Sequence, residues 1–555
     1  MSDFYWSSTT NANNTGNAWG VNFNNGNDNN NSKSSAYYVR AVRSGKCNLL
    51  SFASIYDSYL DCRRGKRGTI NAIRFDYDLI GNLFELALDI QKGTYQPSRS
   101  VCFVTNSPKL REVFAADFRD RIVHHLIVRE LEKIYEPYFI YDSYASRKCK
   151  GIHTAAMRLQ KFMLKVTKNR KQKAYFIQLD IRSFFMSIDK NILFKIIYNK
   201  LKSYIQKNEA YKNEANALLY LLKIVIYHDC TKNYLFKGDK SLLNQVPPHK
   251  SLFHIDKNKG LPIGNLTSQF FANVYLNELD QFVKHKLHCK YYLRYVDDFV
   301  LVSDKKNQLI EWKELIEKFL ENQLLIGIRK DSKLGRVSDG VNFLGYIVRP
   351  DYILVRNRVV NNLKFKLKAY KEEIYSIIEV NNYKYLKIKI SYELMAYIQQ
   401  VISSYFGHFS HANSYNLITN IMEKHNWLKY LFNFYPDRKI VEDRLKYKGH
   451  FKTLRHQAAF FQSRFEKCIC LFYMGRYIET YNDEAVIMNK LFKLKIIKGA
   501  RKMKYSVGYP KKWKDLFLEK ILSSGFGATI IIEGEYGKYL RNRYISEIYQ
   551  PLGDS

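Results

Sequence analysis

Apolar and polar positions divide the chain into a polar head, a long body that alternates between helical and strand periods, and a shorter mixed tail. After a basic, glycine-punctuated start at Arg63-Arg-Gly-Lys-Arg-Gly68, residues Leu79, Ile80, Leu83, Leu86, Ala87 and Ile90 recur at helical spacing, and Gly93-Thr-Tyr-Gln-Pro97 ends the pattern. Residues 108–121 predict a basic strand pair leading into a helix over 122–135. A basic turn over 143–153 precedes another helix. Ala174-Tyr-Phe-Ile-Gln-Leu-Asp180 reads as a strand that closes on a carboxylate. Residues 191–259, rich in Lys, Tyr and Leu, predict helices and a loop at Pro247-Pro248. The turn Gly260-Leu-Pro-Ile-Gly264 opens a helix with the apolar face Phe270, Phe271, Val274, Tyr275 and Leu279. Tyr291-Tyr-Leu-Arg-Tyr-Val-Asp-Asp-Phe-Val-Leu-Val-Ser303 predicts strand, tight acidic turn and strand. A helix over about 307–322 and a short strand pair around Phe343-Leu-Gly345-Tyr346 follow. Residues 355–450 predict helices, and from about 451 the pattern turns to mixed α/β, ending in an apolar run over 528–533.

The head breaks this regularity. Between Asn11 and Asn31, 11 of 21 residues are Asn, so residues 1–44 are expected to be disordered. Aromatic residues nevertheless punctuate them at Tyr5, Trp6, Trp19, Phe23, Tyr37 and Tyr38. A chain of 555 residues has room for several domains. Its net charge of +37 makes a polyanion, nucleic acid above all, the expected partner, with an anionic membrane surface as the alternative. The absence of a long apolar run or leader pattern points to a soluble, cytoplasmic protein without membrane association. The eight cysteines show no paired zinc spacing and read as reduced thiols.

The acidic turn is the first candidate for chemistry. Asp297 and Asp298 at the tip of an apolar hairpin repel each other and resist desolvation, which a divalent cation relieves; an ordinary surface turn fits the same pattern. Asp180, another carboxylate at a strand end, sits 117 residues earlier, as required by a two-metal site fed from separate strands. The two glycines at 260 and 264 permit close backbone approach, and the N–H groups opening the following helix could face a phosphate or template strand; an ordinary helix start fits equally. The basic segments at 63–68, 108–121 and 143–153 read singly as solvated faces and together as a phosphate-contacting subdomain.

The ordered set Asp180, Gly260-Leu-Pro-Ile-Gly264, Tyr295-Val-Asp-Asp298 and Phe343-Leu-Gly-Tyr346 resembles the palm of reverse transcriptases over roughly residues 60–440. The resemblance implies an α+β fold, a right-hand polymerase with fingers, palm and helical thumb. It also implies RNA-directed DNA synthesis with two Mg²⁺ ions, for which Mn²⁺ can substitute. By the same resemblance Asp180 and Asp297 are the metal carboxylates, Asp298 supports them, and the Ile181 carbonyl adds a ligand. Phe185 matches the bulky residue that excludes a ribose 2′-hydroxyl. Lys109 and Arg111 match residues that hold the triphosphate, Lys333 the lysine that protonates pyrophosphate, and Ile263, Gly264 and Gln269 the nucleotide-side turn and helix. Arg119, Arg121, Arg147, Lys148 and Lys150 are expected at nucleic acid, as are Phe343, Gly345 and Tyr346.

Arg119-Asp-Arg-Ile-Val-His-His125, Arg147-Lys-Cys-Lys-Gly-Ile-His153 and Ile263-Gly-Asn-Leu-Thr-Ser-Gln269 resemble the enzymes of diversity-generating retroelements more narrowly. Retroviral enzymes carry Gln where Ile263 stands; an aliphatic side chain cannot hydrogen-bond the nucleotide or template, in keeping with that family's adenine-directed errors. The head resembles the variable end of a lectin-fold protein, read from a template repeat, and is then expected to be dispensable for catalysis. Leu471-Phe-Tyr-Met-Gly-Arg-Tyr477-Ile-Glu479 and Val507-Gly-Tyr-Pro510 resemble the mismatch-recognition domain of MutS, which implies Tyr477 as a stacking ring and Glu479 as a base contact. Arg476 and Tyr477 depart from the Asp and Phe of that motif, and a folded domain without mismatch chemistry remains open.

The expected domains are a head over 1–44, fingers over 45–170, and a palm over 171–350 with inserted helices 191–259. A thumb over 351–450 and a MutS-like domain over 451–555 complete them. The expected partners are template RNA, the RNA–DNA hybrid, deoxynucleoside triphosphates and an accessory variability protein, in a bacterial or phage-encoded system. Retron, group II intron-like and anti-phage enzymes share the palm, and a non-catalytic nucleic-acid-binding scaffold is the rival of another class.

Overall fold

The computed structural model describes residues 4–10, 17–22, 28–32, 51–106, 109–435, 440–447 and 449–552. The described chain mixes helices and sheets in two compact units, Met1–Ala155 with Gln172–Arg336, and Ala156–Lys171 with Val337–Ser555. Among the described residues no helix is long and apolar enough to cross a membrane, and seven cysteines are unpaired, all but Cys149 buried. Cys47 lies outside the described residues. The Asn-rich head differs from the expected disorder: Phe4–Thr10, Asn17–Asn22 and Asp28–Ser32 pair antiparallel, with Tyr5 opposite Val21. Aromatic and branched residues in the first two segments favour strand pairing despite the Asn content. The rest of residues 1–50 lies outside the described residues.

In the first unit the helical spacing read at 79–90 becomes the helix Leu79–Lys92, whose Leu83, Leu86, Ala87 and Ile90 face the core. Gly93 ends it with a left-handed φ of 71° and donates its N–H to the last-turn carbonyls. Of the strand pair expected within 108–121 only Arg111–Ala115 forms there; its partner is the preceding strand Ser100–Thr105, and the next helix begins earlier than expected, as Phe118–Tyr135, capped by Asp117. The palm sheet runs in the order Lys333–Arg336, Tyr175–Asp180, Asp298–Ser303, Tyr292–Tyr295, antiparallel throughout. Its register sets Asp180 opposite Asp298. The helices Leu266–Gln281 and Lys306–Leu324 share one core with the sheet, including Phe271, Leu276, Leu301 and Ile316.

In the second unit Val341–Phe343, Tyr346–Val348 and Ile353–Val355 form a small sheet. The region 355–450 departs from the all-helical expectation. Between the helices Asn357–Ile374 and Tyr392–Phe409 lies a hairpin of Tyr375–Val380 and Tyr383–Lys389. Its turn residues Asn381 and Asn382 both have positive φ, the arrangement a two-residue hairpin turn requires. A further strand pair is formed by Phe432–Tyr435 and Ile440–Asp443.

The hairpin is no local decoration. Tyr383–Lys389 pairs with Arg541–Pro551, a strand beyond the last one expected, and so joins an eight-stranded sheet with Gly527–Tyr536, Cys468–Met474, Tyr477–Tyr481 and Tyr505–Pro510. One apolar cluster holds Leu363, Ile388 and Ile402 together with Phe472, Ile531 and Ile548. The boundary expected at 450/451 therefore cuts through a single sheet and a single core.

A chain ended at residue 450 leaves Tyr385, Leu386 and Ile388 without their sheet partner. It is expected to aggregate or to be cut by protease within 375–389, where the full chain resists. In the full chain Ile388→Ala should cost about 2–5 kcal/mol in chemical denaturation, for the deleted methyl groups and the cavity left behind.

Candidate active site

The strand ending at Asp180 and the turn before Asp298–Ser303 open onto one cavity of about 810 Å³. It is lined by Asp180, Ile181, Phe185, Ile263 and Asp297, and by the cationic residues Lys109, Arg111, Arg182, Lys250, Arg329 and Lys330. The strand alternation of Arg111–Ala115 turns Arg111 to the cavity while Glu112 and Phe114 are buried. Phe114 donates its N–H to the Ile263 carbonyl at 2.9 Å, which fixes the glycine turn against this strand. Gly264 has a φ of 120°, and a Cβ there would stand 2.7 Å from Val113 Cγ1 and 3.0 Å from the Phe114 carbonyl oxygen. The glycine is thus required by both conformation and space.

Burial, then the neighbouring Asp180 carboxylate, pushes the Asp297 carboxyl up to about 6, against the pull of its own backbone and of Arg111. Burial likewise pushes Asp298 up to about 7, opposed by the Gln178 side chain, which donates to its two oxygens at 3.0 and 3.3 Å. The acidic pair thus divides: Asp297 lines the cavity beside Asp180, and Asp298 is held by Gln178. Among the described residues no three His, Cys, Asp or Glu side chains converge as a ready-made metal cluster. Two carboxylates and the Ile181 carbonyl are an all-oxygen set that suits Mg²⁺, an ion that keeps water and takes one or two carboxylates plus substrate phosphates. Arg329 stands beside them: its Nη1 is 3.1 Å from Asp180 Oδ2, and its N–H bonds the Asp180 carbonyl.

Beneath the turn, Arg294 is fully buried and all five of its N–H groups are satisfied. Nε and Nη2 donate to the Asp280 carboxylate at 2.8 and 2.6 Å, and Tyr292 adds its hydroxyl to the same group at 2.7 Å. Nη1 donates to Asn273 Oδ1 and, at 2.9 Å, to the Val296 carbonyl; Nη2 also reaches Ser143 Oγ. Val296 has a φ of 53°, a left-handed conformation that costs a branched residue about 1–3 kcal/mol. The guanidinium holds the strained residue that presents Asp297.

Other expected site residues fall elsewhere. Lys333 begins the edge strand opposite Gln178 and does not line the cavity; Arg329 and Lys330, at the loop before it, do. Gln269 accepts from Ser146 Oγ at 3.3 Å, outside the cavity lining. Arg119, expected at a phosphate, is paired with Asp89 and stacked over Tyr95, and Arg121 donates to the Ala116 carbonyl. Arg147 is buried against Glu136 and the Ile140 and Ser143 carbonyls. Lys148 pairs with Glu132 while remaining exposed, and Lys150 lies over Tyr141. Carboxylates and carbonyls, from 4 residues away at Ser143 to 30 at Asp89, take these charges. Phe343 and Tyr346 are core residues, Tyr346 stacking on His408 at 4.3 Å and donating to its carbonyl, and Leu344 and Gly345 between them are half-buried. In the C-terminal sheet Tyr477 is exposed, but Glu479 is engaged by Arg501 at 3.0 Å and by the Tyr481 hydroxyl at 2.9 Å. The sequence reading missed Arg182, Lys250, Arg294 and Arg329 as site residues. Only Arg294, a lone charge within an apolar strand, carried a readable signal.

Residues 105–348 match the family model of the reverse transcriptases (RNA-dependent DNA polymerases), and residues 455–551 match MutS domain I. The chain is thus similar to reverse transcriptases over its middle and to MutS domain I near its C-terminal end. The group II intron-encoded protein LtrA of Lactococcus lactis subsp. cremoris is 25% identical over 297 residues, which span 47% of this chain and 48% of that protein. Protein YkfC of Escherichia coli is 25% identical over 299 residues, 46% of this chain and 68% of its own length. The putative COX1/OXI3 intron 2 protein of Saccharomyces cerevisiae is 24% identical over 321 residues, 52% and 36% of the two chains. The chain spans about half the length of LtrA. Among solved structures, apo telomerase from Candida tropicalis aligns at 13% identity and a TM-score of 0.36, over 60% of this chain and 56% of that one.

Two outcomes test the site. Because the folded pKa values of Asp297 and Asp298 lie above the ordinary carboxylate range, the stability these groups contribute is complete below that range and lost as pH rises through about 6–7. The metal-free chain should therefore gain melting temperature, relative to an Asp297→Asn/Asp298→Asn variant, as pH falls from about 8 to 5, and added divalent cation should reduce that difference. Arg294→Met leaves Asp280 buried without its partner and should cost about 3–5 kcal/mol in denaturant unfolding. Arg294→Lys should fold yet slow turnover on the order of 100-fold with little change in nucleotide KM, because the Val296 carbonyl loses its anchor.

Proposed function

We propose that the chain is an RNA-directed DNA polymerase of a diversity-generating retroelement, copying a template-repeat RNA into adenine-mutagenised cDNA in a bacterial or phage-infected cytoplasm. The observation that carries the polymerase reading is the meeting of Asp180, Asp297, Phe185 and Ile263 at one cation-rimmed cavity. Asp180, Asp297 and the Ile181 carbonyl would hold divalent cations, Mg²⁺ or Mn²⁺. When bound, these supply acidification of a primer 3′-hydroxyl and charge neutralisation at the phosphates. Lys109 and Arg111 face the same cavity and bind the triphosphate of the incoming deoxynucleotide. The Phe185 ring, packed on Phe184 at 5.6 Å, is a wall against a 2′-hydroxyl. Arg329, now 3.1 Å from Asp180 Oδ2, would have to release that carboxylate for it to hold a cation, which would free the guanidinium for the phosphates.

The finer reading rests on Ile263, whose side chain offers nucleotide and template no hydrogen bond, and on the Asn-rich head, whose codons offer adenines to mutate. Template RNA, the RNA–DNA hybrid and an accessory variability protein are the partners this implies. The exposed Tyr477 would stack on a base in bound nucleic acid, and Glu479 would join it only by releasing Arg501. A second reading, a group II intron-like enzyme, is favoured by the names of LtrA and the yeast intron protein.

Primer extension on an RNA template, followed by sequencing of the cDNA, separates these readings. Wild type should extend and Asp297→Ala/Asp298→Ala should not; equal extension by both ends the polymerase reading. Errors concentrated at template adenines, reduced roughly tenfold in Ile263→Gln, are expected of the retroelement enzyme. An even error spectrum favours the intron-like one.

A further inference from the structure

The insert over 191–259 does more than lengthen the palm. Beyond the helices Lys190–Lys207 and Lys212–Tyr227, its distal part is stitched to the hairpin that carries Arg111. Tyr234–Phe236 pairs in parallel with Ser100–Thr105, setting Ser100 opposite Tyr234 and Cys102 opposite Phe236. Lys237 donates its N–H to the Cys102 carbonyl at 2.8 Å. A small core of Cys102, Phe114 and Cys230, with Tyr234 and Phe253 packed on it, closes the joint.

A charged group is buried at this joint. Glu112, 1% exposed, accepts from the buried Ser251 hydroxyl at 2.7 Å and from the Leu252 N–H. Desolvating a carboxylate is costly, and the loop supplies the donors that compensate it. The consequence lies one residue back in the chain. His249 and Lys250, exposed side chains just before Ser251, line the same 810 Å³ cavity as Lys109, Arg111, Arg182 and Arg329. Two neighbours on one strand thus act together: Arg111 faces the cavity and Glu112 fastens the loop that brings Lys250 to it.

We propose that His249 and Lys250 form a subsite for the polyphosphate of the incoming nucleotide, with Glu112 as the positioning residue that holds it through Ser251 and Leu252. The proposal rests on the nucleotidyl-transfer reading of the cavity. A lysine in this role is a compact point charge that needs no fixed fork geometry, which suits a loop facing a flexible triphosphate. The insert thereby supplies part of the nucleotide site from outside the acidic strands and the fingers hairpin.

The test combines kinetics with a binding assay that needs no turnover. In primer extension, Lys250→Ala and His249→Ala/Lys250→Ala should raise the nucleotide KM roughly tenfold while lowering kcat far less, and Lys250→Arg should restore most of the affinity. Glu112→Gln should raise KM in the same direction, and combining it with Lys250→Ala should add little to either alone. In parallel, the affinity for inorganic tripolyphosphate, measured by calorimetry on the full chain, should fall by a similar factor in Lys250→Ala, with the melting temperature unchanged. If the wild type extends primers and Lys250→Ala alters neither KM nor tripolyphosphate affinity, the subsite is refuted and the polymerase reading stands. If the wild type fails to extend primers yet binds tripolyphosphate through Lys250, the polymerase reading fails and the anion subsite survives.

Discussion

A guanidinium shielded from water lies under the acidic turn, and its five donors are divided among a carboxylate, an amide, a hydroxyl and the carbonyl of a strained valine. The Arg294–Asp280 pair joins three parts of the polymerase unit: the 142–144 loop, the helix Leu266–Gln281 and the acidic hairpin. Removing either partner strands a buried charge, so the pair is an all-or-nothing feature. The catalytic geometry depends on it because Val296 would relax out of its left-handed conformation without a bonded carbonyl, and Asp297 would move with it. Two carboxylates held close against their repulsion need a rigid support more than they need affinity for each other.

Legibility in the sequence followed the range of the interactions. Asp180, Asp297, Phe185 and the 260–264 turn could be read because strand ends and glycine turns declare themselves over a few residues. The cations could not be sorted that way. Arg119 and Arg147 look like Lys109 and Arg111 in sequence, but Asp89 lies 30 residues from Arg119 and takes its charge, and Glu136 does the same for Arg147. Glu479 is likewise claimed by Arg501, 22 residues on in the turn Ala500–Lys502. The hairpin over 375–389 was hidden by its lysines, which made the period-two pair Leu386 and Ile388 look like part of a charged helix; only Asn381-Asn382 marked the turn. Lys333 begins the edge strand beside Gln178, and the loop residues Arg329, Lys330 and Asp331 before it are the ones that line the cavity.

The segment similar to MutS domain I and the helices before it are one structure in packing terms. Ile388, Phe472 and Ile548 share a cluster, and Tyr385 packs with Ile469 and Tyr509 on the other side of the sheet. A domain transplanted with a short linker would keep its own edges. Here the strand Tyr383–Lys389 covers one side of Arg541–Pro551 along five paired positions, leaving no unpaired edge there to template aggregation.

That pairing also sets a timetable for synthesis. Arg541–Pro551 is an interior strand, flanked by Tyr383–Lys389 on one side and Gly527–Tyr536 on the other. The earlier partner emerges from the ribosome about 150 residues before the strand it needs, a wait of roughly 8 to 30 seconds at ordinary elongation rates. During that interval Tyr385, Leu386 and Ile388 face whatever the cell offers them. The polymerase unit, whose sheet closes with the strand Lys333–Arg336, has every strand it needs much sooner. Nascent chains that stop short of residue 551 would thus carry a complete acidic site in the first unit and a second unit unable to close, and quality control would meet them as unfinished protein.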